Sequence, residues 1–162
     1  MLKLGERFLT NFSGELQIIG FEDGKYKVRF FKTGYITSAK CNKIKLGKVK
    51  DKLLPRVYGI GFIGEGLYNA KTHRKIYERW KKMLARCYSG NFPEYAGITV
   101  CERWFNFQNF AYDFFNLPGY QEDIKGLDLD KDMRVKGNKI YSPDTCQLIP
   151  HSINFSYAVR GV

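Results

Sequence analysis

Residues 5–47 carry the pattern that most restricts the fold of this chain, namely four short runs of β-forming residues separated by turn signals. The runs cover Arg7–Thr10, Leu16–Phe21, Tyr26–Phe31 and Tyr35–Ala39. The turn signals are Ser13-Gly14, Asp23-Gly24 and Lys32-Thr33-Gly34. Consecutive strands joined by such short turns form a meander, and we predict that residues 1–50 curl into a small, Tudor-like antiparallel β-barrel.

The pattern within the third run predicts which side of this sheet is buried. Tyr26, Val28 and Phe30 alternate with three basic residues. Because successive side chains of a strand point to opposite faces, the run predicts one buried face and one basic face.

Residues 51–70 separate this region from the rest of the chain, and we predict that they form a linker. A charged run, Lys48–Lys52, leads into Leu53-Leu54-Pro55, which breaks any regular element, and a glycine-rich stretch follows. The spacing Gly59-x-Gly61-x-x-Gly64 matches a dinucleotide-binding fingerprint, but no strand-helix-strand unit surrounds it. We therefore predict flexible or closely packed backbone here rather than a cofactor site.

Helical periodicity begins after residue 70, in the predicted second domain, residues 71–162. A first helix over residues 72–88, with Thr72 as its N-cap, has an apolar stripe on one side. The stripe consists of Ile76, Trp80, Met83, Leu84 and Cys87. A short strand at Gly97–Cys101 and a second helix over residues 106–115 follow. The second stripe, which predicts burial against the first helix, consists of Trp104, Phe107, Phe110, Ala111 and Phe114.

The charge of the chain is high and unevenly distributed. The 27 Lys and Arg residues outnumber the 16 Asp and Glu residues, and the formal charge of +11 excludes an acidic nucleic-acid mimic. Residues 1–52 carry +7, residues 53–100 carry +5 and residues 101–162 carry −1. A polyanion such as double-stranded DNA is the usual partner of such a basic surface, and simple solubilisation is the alternative.

The predicted first helix concentrates this charge. The candidates for contacts with nucleic-acid phosphates are Arg74, Lys75, Arg79, Lys82 and Arg86. Glu78 is the only acidic residue among them. We therefore predict a phosphate-binding surface, the alternative being the solvated face of a core helix.

The cysteines and the apolar runs point to a reducing, aqueous compartment. Cys41, Cys87, Cys101 and Cys146 form no C-x-x-C pair, so neither a zinc knuckle nor a dense disulfide framework is expected, and buried free thiols are predicted. No apolar run approaches the roughly 20 residues of a membrane span, and the first residues lack the apolar segment of a signal peptide. We expect a soluble cytoplasmic protein with no membrane partner.

The strongest chemical signal lies in residues 127–154. Asp128, Asp130 and Asp132 occupy alternating positions of one predicted strand and would lie on the same side. A basic loop through Gly137-Asn138, the segment Tyr141–Pro150 and a final segment containing Asn154 follow, and the implied order is strand, loop, strand, helix. Clustered carboxylates need a neutralising cation, for which Mg²⁺ is the natural candidate, and solvated acidic residues are the alternative.

At this point the chain resembles a phage family related to HNH homing endonucleases, of the His-Me finger type. The resemblance spans nearly the whole chain. It rests on "GERF", "VYGIGFIGEGLY", "YERWKKMLARCY", "ITVCERWFNFQNFAYDF", "LDLDKD" and "GNKIYSPDTCQLIPHSIN". It implies an α+β fold in which the barrel precedes a helical module with a ββα-metal finger. It also implies that the protein is located in the cytoplasm of an infected or lysogenic bacterial host. Longer relatives continue into a plant-type DNA-binding domain, which this chain is expected to lack.

The resemblance also implies roles for individual residues. Asp130 and Asn154 match the metal ligands, Lys131 stands where the base histidine is expected, and Thr145 stands where the orienting asparagine is expected. Lysine side chains are almost wholly protonated at neutral pH, so a lysine is a poor general base. His151 is predicted to be a surface or capping residue.

These observations leave three functions open. The leading one is a phage-type DNA-binding protein related to HNH endonucleases, catalytically weak or inactive, that binds through its basic surface. The second is an active Mg²⁺-dependent nicking endonuclease. The third is an accessory or counter-defence protein that binds a host or defence protein with the degenerate nuclease fold.

Overall fold

A computed structural model describes residues 1–153 and shows a mixed α+β chain of two compact units, with the boundary in the chain between Leu54 and Pro55. Each unit has its own hydrophobic core, assembled from its own residues. Within the described residues, no helix combines the length and the apolar character that crossing a membrane requires.

The N-terminal unit is built on a four-stranded antiparallel sheet in the order β1-β2-β3-β4. Its elements are β1 (Arg7–Leu9), β2 (Glu15–Glu22), β3 (Lys25–Phe30), β4 (Ile36–Ala39) and a short helix, α1 (Cys41–Lys45). Asp23 and Gly24 both have positive φ, as a tight two-residue hairpin turn requires. The alternation predicted for β3 is confirmed, because Tyr26, Val28 and Phe30 are buried and the residues between them are exposed.

The predicted closed barrel is wrong, because the sheet is open. Closure requires the two outer strands to pair, but β1 has only three residues, and neither β1 nor β4 pairs beyond its one neighbour. The chain beyond α1 instead returns to the residues that follow β1. There the backbone N–H of Asn11 donates to the carbonyl oxygen of Gly47, and the N–H of Asp51 donates to Ser13 Oγ.

The predicted linker, residues 51–70, is divided between the two units. Asp51 is buried in the N-terminal unit, where it accepts hydrogen bonds from the Thr33 hydroxyl and the Leu53 N–H. Val57, Ile60 and Ile63 pack against the core of the C-terminal unit. Val57, Ile60 and Ile63 are partly buried there, so this part of the segment belongs to the packing of the C-terminal unit.

The C-terminal unit packs two α-helices and two strand pairings around an aromatic core. Its elements are α2 (Arg74–Tyr88), β5 (Thr99–Val100), α3 (Phe107–Phe114), β6 (Leu127–Asp130), β7 (Ile140–Tyr141) and β8 (Gln147–Pro150). The predicted stripes of α2 and α3 both lie in this core, where Trp80, Trp104 and Phe107 are fully buried. Thr72 is not the N-cap of α2, since the helix begins one residue after His73.

The glycine-rich stretch before α2 is closely packed, as predicted. A methyl group on Gly61 would approach Leu84 and Trp80, and one on Gly64, which has a φ of +70°, would meet the side chain of Asn106. Val57 and Gly61 form an isolated antiparallel bridge, so the stretch forms a tight turn against α2. Close packing therefore accounts for Gly61 and Gly64, whereas Gly59 has open space around it and a φ of +75°, a conformation that favours glycine.

The end of the chain follows the predicted order of strand, loop and strand. β6 pairs antiparallel with β8, with Leu129 opposite Leu148. A loop over residues 131–138 precedes β7. β7 pairs in parallel with β5 instead of joining this ribbon. Residues 151–153 are helical, which places a helical turn directly after β8.

Candidate nucleic-acid interface

A cleft of about 280 Å³ lies between α2 and β6, and one face of α2 supplies most of its charge. Lys75, Arg79, Lys82 and Arg86 follow one another at spacings of four, three and four residues, so they form a single stripe along the helix. The opposite stripe of α2, which contains Trp80 and Leu84, is buried in the core. The amphipathic pattern of α2 therefore turns its cations toward the cleft.

The opposite wall of the cleft adds one cation that the sequence pattern missed. Lys125 lies in the segment before β6 and lines the cleft, and its side chain is exposed. Nothing in its sequence context marks Lys125, because α2 and residue 125 are brought together only by the fold. With the four residues of α2, five cations line the cleft.

The two carboxylates of the cleft already have basic partners. Glu78 accepts from Arg74 Nε at 3.1 Å, and Asp128 accepts from His151 Nδ1 at 2.7 Å. Among the described residues, Lys75, Lys82 and Lys125 have no ion-pair partner for their ammonium groups. The cleft therefore presents a net positive surface.

Arg79 occupies the cleft but uses its charge within the protein. Its guanidinium donates to the carbonyl oxygen of Leu127 at 2.9 and 3.1 Å, to that of Ile124 at 2.6 Å and to that of Lys75 at 2.8 Å. Burial lowers the pKa of Arg79, and the carboxylates of Asp128 and Glu78 counteract that effect. Arg79 thus fastens α2 to β6 and has little hydrogen-bonding capacity left for a phosphate.

The two remaining predicted cations differ in position. Arg86 is half-buried, lines the cleft and lies 5.8 Å from the centroid of the Tyr95 ring. Arg74 does not line the cleft and pairs with Glu78 at the surface. Of the five predicted phosphate contacts, four line the cleft, but only Lys75 and Lys82 are exposed there, because Arg79 is bound to carbonyl oxygens and Arg86 is half-buried beside Tyr95.

Lys131, the residue at the predicted base position, is held inside the loop that follows β6. Its side chain is 8% exposed, and Nζ donates to Asp132 Oδ1 at 2.6 Å and to the carbonyl oxygen of Asn138 at 3.2 Å. Nζ also lies 5.9 Å from the centroid of the Tyr141 ring. An ammonium group has no lone pair with which to accept a proton. The bonds from Nζ to Asp132 and Asn138 instead connect the beginning and the end of the loop.

The other predicted finger residues take part in turns. Asp130 is buried at the end of β6, and its Oδ2 accepts the N–H of Met133 at 2.9 Å. This turn ends the strand, so the predicted alignment of Asp132 with the other two aspartates is wrong. The hydroxyl of Thr145 donates to the carbonyl oxygen of Ile140 at 3.0 Å.

The predicted metal site is only partly within the described residues. Asp130 offers one carboxylate, whereas Asn154 lies outside residues 1–153. Within that range, no three His, Cys, Asp or Glu side chains lie close enough together to hold a metal ion. The Mg²⁺ site therefore stays a prediction.

The structure reveals a carboxylate-imidazole pair that the sequence pattern did not link. β6 and β8 place Asp128 opposite Ile149, and His151 lies two residues further along the same face. His151 Nδ1 lies 2.7 Å from Asp128 Oδ2, and the His151 side chain is 72% exposed. An ionised carboxylate only accepts, so Nδ1 is the donor of this bond and Nε2 takes no part in it. The signal for this pair was the strand register, which the sequence alone did not define.

Comparisons with known proteins add no relatives to this description. No family model, no curated protein and no solved structure matches the chain. The relationship to HNH endonucleases therefore rests on the sequence motifs and stays a prediction.

Proposed function

We propose that this protein binds double-stranded DNA through the phosphate backbone and that the cleft between α2 and β6 is the contact surface. The observation that carries the proposal is the charge of the cleft, where five cations face two carboxylates that already have basic partners. Cations clustered on one face are the electrostatic footprint of nucleic-acid binding.

The lining of the cleft favours duplex DNA read without sequence preference. None of the lining residues is aromatic, so the cleft has no platform on which unpaired bases could stack. Its accessible cations are mostly lysines, which act on phosphates as point charges and lack the planar fork that reads guanine.

The test replaces the accessible lysines and measures the salt dependence of binding. We expect the triple variant to bind a short labelled DNA duplex more weakly than the wild type, whatever the base sequence of the duplex. The triple variant combines Lys75→Gln, Lys82→Gln and Lys125→Gln. The slope of log K against log salt should fall by about 2–3, because each lost phosphate contact removes about 0.9. Fluorescence anisotropy between about 50 and 200 mM salt gives this slope.

A matched control variant also loses three lysine charges, but at positions outside the cleft. Lys71, Lys81 and Lys136 are exposed residues of the same unit that do not line the cleft. Their triple replacement by Gln should change the slope by less than about 1. Equal slopes for the two triple variants would remove the cleft as the binding surface.

We further propose that residues 127–153 belong to a degenerate HNH-type finger that does not cut the DNA it binds. The order of strand, loop, strand and helical turn supports this assignment, and so does the burial of Lys131 at the predicted base position. Where HNH enzymes use a neutral imidazole, this chain holds an ammonium group, and loss of a general base typically costs about 10²–10⁴-fold in rate.

One observation favours a second candidate, a nicking endonuclease whose base is His151. The largely exposed imidazole of His151 is oriented by Asp128, and Asp128 lines the basic cleft. In this mechanism Nε2 takes a proton from water and the water oxygen attacks phosphorus. The bond from phosphorus to the leaving oxygen breaks, and that oxygen leaves as an alkoxide that takes a proton from a second water molecule. Bound Mg²⁺ would supply neutralisation of the phosphate charge.

A plasmid-nicking assay separates the two candidates. A binder without cleavage activity leaves supercoiled plasmid intact with and without Mg²⁺, and Lys131→His restores nicking if the finger lacks only its base. A nicking enzyme based on His151 cuts as the wild type and loses that activity in His151→Ala, while duplex affinity is retained. Nicking that is lost in Lys131→Ala instead identifies the lysine as the base and contradicts both.

A further inference from the structure

The N-terminal unit contains a second basic surface, separate from the cleft of the C-terminal unit. A groove of about 540 Å³ lies beside β4 and α1 and is bordered by residues 48–52. Its lining includes Lys25, Lys40, Lys43, Lys48, Lys50 and Lys52, and no acidic residue. The charge of the groove is therefore not offset by any residue that lines it.

The segment over residues 48–52 explains how this charge is concentrated. Burial alternates along it, so that Lys48, Lys50 and Lys52 are exposed while Val49 and Asp51 are buried. Asp51 points inward and accepts from Thr33 Oγ1 at 2.6 Å, which removes the one acidic residue of the segment from the surface. The fold thus converts a mixed charged run into a row of lysines.

We infer that this groove, defined by its six lysines, binds the phosphate backbone of duplex nucleic acid independently of the cleft. The inference rests on the proposed function for the identity of the ligand as DNA. Alternate residues of an extended chain are about 7 Å apart, a spacing that lets neighbouring lysines reach successive phosphates of one strand.

The composition of the groove determines the class of ligand. It contains no arginine, so it lacks the bidentate groups that read base edges, and binding is independent of sequence. Tyr35 is the one aromatic residue among its lining residues and is 5% exposed, so unpaired bases find no stacking surface. A duplex, in which the bases are already stacked, fits these constraints better than a single strand.

The experiment uses the full chain with Lys48→Gln, Lys50→Gln and Lys52→Gln combined. We expect the slope of log K against log salt for a labelled DNA duplex to fall by about 2–3 relative to the wild type. The matched control, Lys3→Gln, Lys27→Gln and Lys32→Gln, removes the same charge from exposed positions of the same unit outside the groove. Its slope should change by less than about 1, and equal slopes for the two variants would overturn the inference.

Comparison with the cleft variant separates this inference from the proposed function. If the slope falls in the groove variant and not in the cleft variant, the groove binds DNA and the cleft does not, so the proposed function fails and this inference stands. If the slope falls only in the cleft variant, this inference fails and the proposed function stands. Tighter binding of a single strand of the same length overturns the assignment to duplex. Displacement of the duplex by polyglutamate as efficiently as by unlabelled duplex identifies an acidic protein surface as the partner and overturns the assignment to nucleic acid.

Discussion

Single cations of this protein that look alike in the sequence have different roles in the structure. Arg79 and Lys82 lie on the same stripe of α2, but Arg79 donates to carbonyl oxygens of residues 124 and 127 whereas Lys82 is exposed. Lys131 is likewise used inside the protein, where it bonds to Asp132 and Asn138. The surface that remains for a polyanion is therefore smaller than the count of basic residues indicates.

Replacing Arg79 should affect stability more than binding. We expect Arg79→Ala to lower the free energy of unfolding by at least about 1.5–3 kcal/mol, because that is the typical contribution of a single hydrogen bond to a charged group and Arg79 makes several. Lys82→Ala, the control on the same stripe, should change it by no more than about 0.5 kcal/mol. Urea unfolding of both variants measures the difference, and equal stability would contradict the structural role of Arg79.

Cys87 and Cys146 should be unreactive in the folded state. Burial raises the pKa of Cys146 to about 12 and that of Cys87 to about 11. At pH 8 these thiols are almost wholly protonated, with thiolate fractions of about 10⁻⁴ and 10⁻³. Thiol-specific alkylation followed by peptide mapping should find both residues unmodified in buffer and modified in urea. Rapid labelling of Cys146 in the native protein would show that the Cys146 thiol is not buried in the folded state.

At the scale of elements, the loop between β6 and β7 depends on one asparagine. Asn138 Nδ2 donates to the carbonyl oxygens of Lys131 and Ile140, and its Oδ1 accepts from the Ile140 N–H at 3.3 Å. These bonds join the two ends of the loop over residues 131–138. The shape of the predicted finger therefore depends on Asn138 as well as on the two strands.

Loss of this side chain should open the loop. We expect Asn138→Ala to lower the free energy of unfolding by about 1–2 kcal/mol and to speed tryptic cutting after the exposed residues Arg134 and Lys136. Val135→Ala, at an exposed position of the same loop, keeps both cleavage sites and serves as the control. Identical cutting rates in the two variants would show that Asn138 does not hold the loop.

At the scale of the whole molecule, the chain has two hydrophobic cores with no shared members. Val28 and Phe30 belong to the N-terminal core, and Trp80 and Trp104 belong to the C-terminal core. Because a hydrophobic core is the basis of cooperative unfolding, each unit should open as its own cooperative unit.

A core mutation in one unit should therefore act mainly on that unit. We expect Val28→Ala, which truncates a fully buried side chain, to raise hydrogen exchange across residues 1–54 and to leave residues 74–114 unchanged. Leu84→Ala should raise hydrogen exchange across residues 74–114 and leave residues 1–54 unchanged, so each variant serves as the control for the other. Equal acceleration in both regions would show that the chain unfolds as a single unit.

The sequence by itself determined the elements whose signals are local. Strand β3 could be predicted because alternation has a period of two, and α3 could be predicted because its aromatic residues recur at helical spacing. The hairpin turn at Asp23-Gly24 followed from residue types that tolerate positive φ. The pattern of residues 127–150 also predicted a strand, a loop and a strand, as the antiparallel pair of β6 and β8 confirms.

Only the tertiary structure decided which of these residues share a surface. Whether β1 and β4 close a barrel depends on where the chain goes after β4, and no local pattern encodes that path. Arg79 meets its partners 45 and 48 residues away, Asp51 turns inward to meet Thr33, and His151 meets Asp128 through the register of β6 and β8. Local patterns fix periodicity, but the position and availability of a charge depend on contacts between residues far apart in the chain.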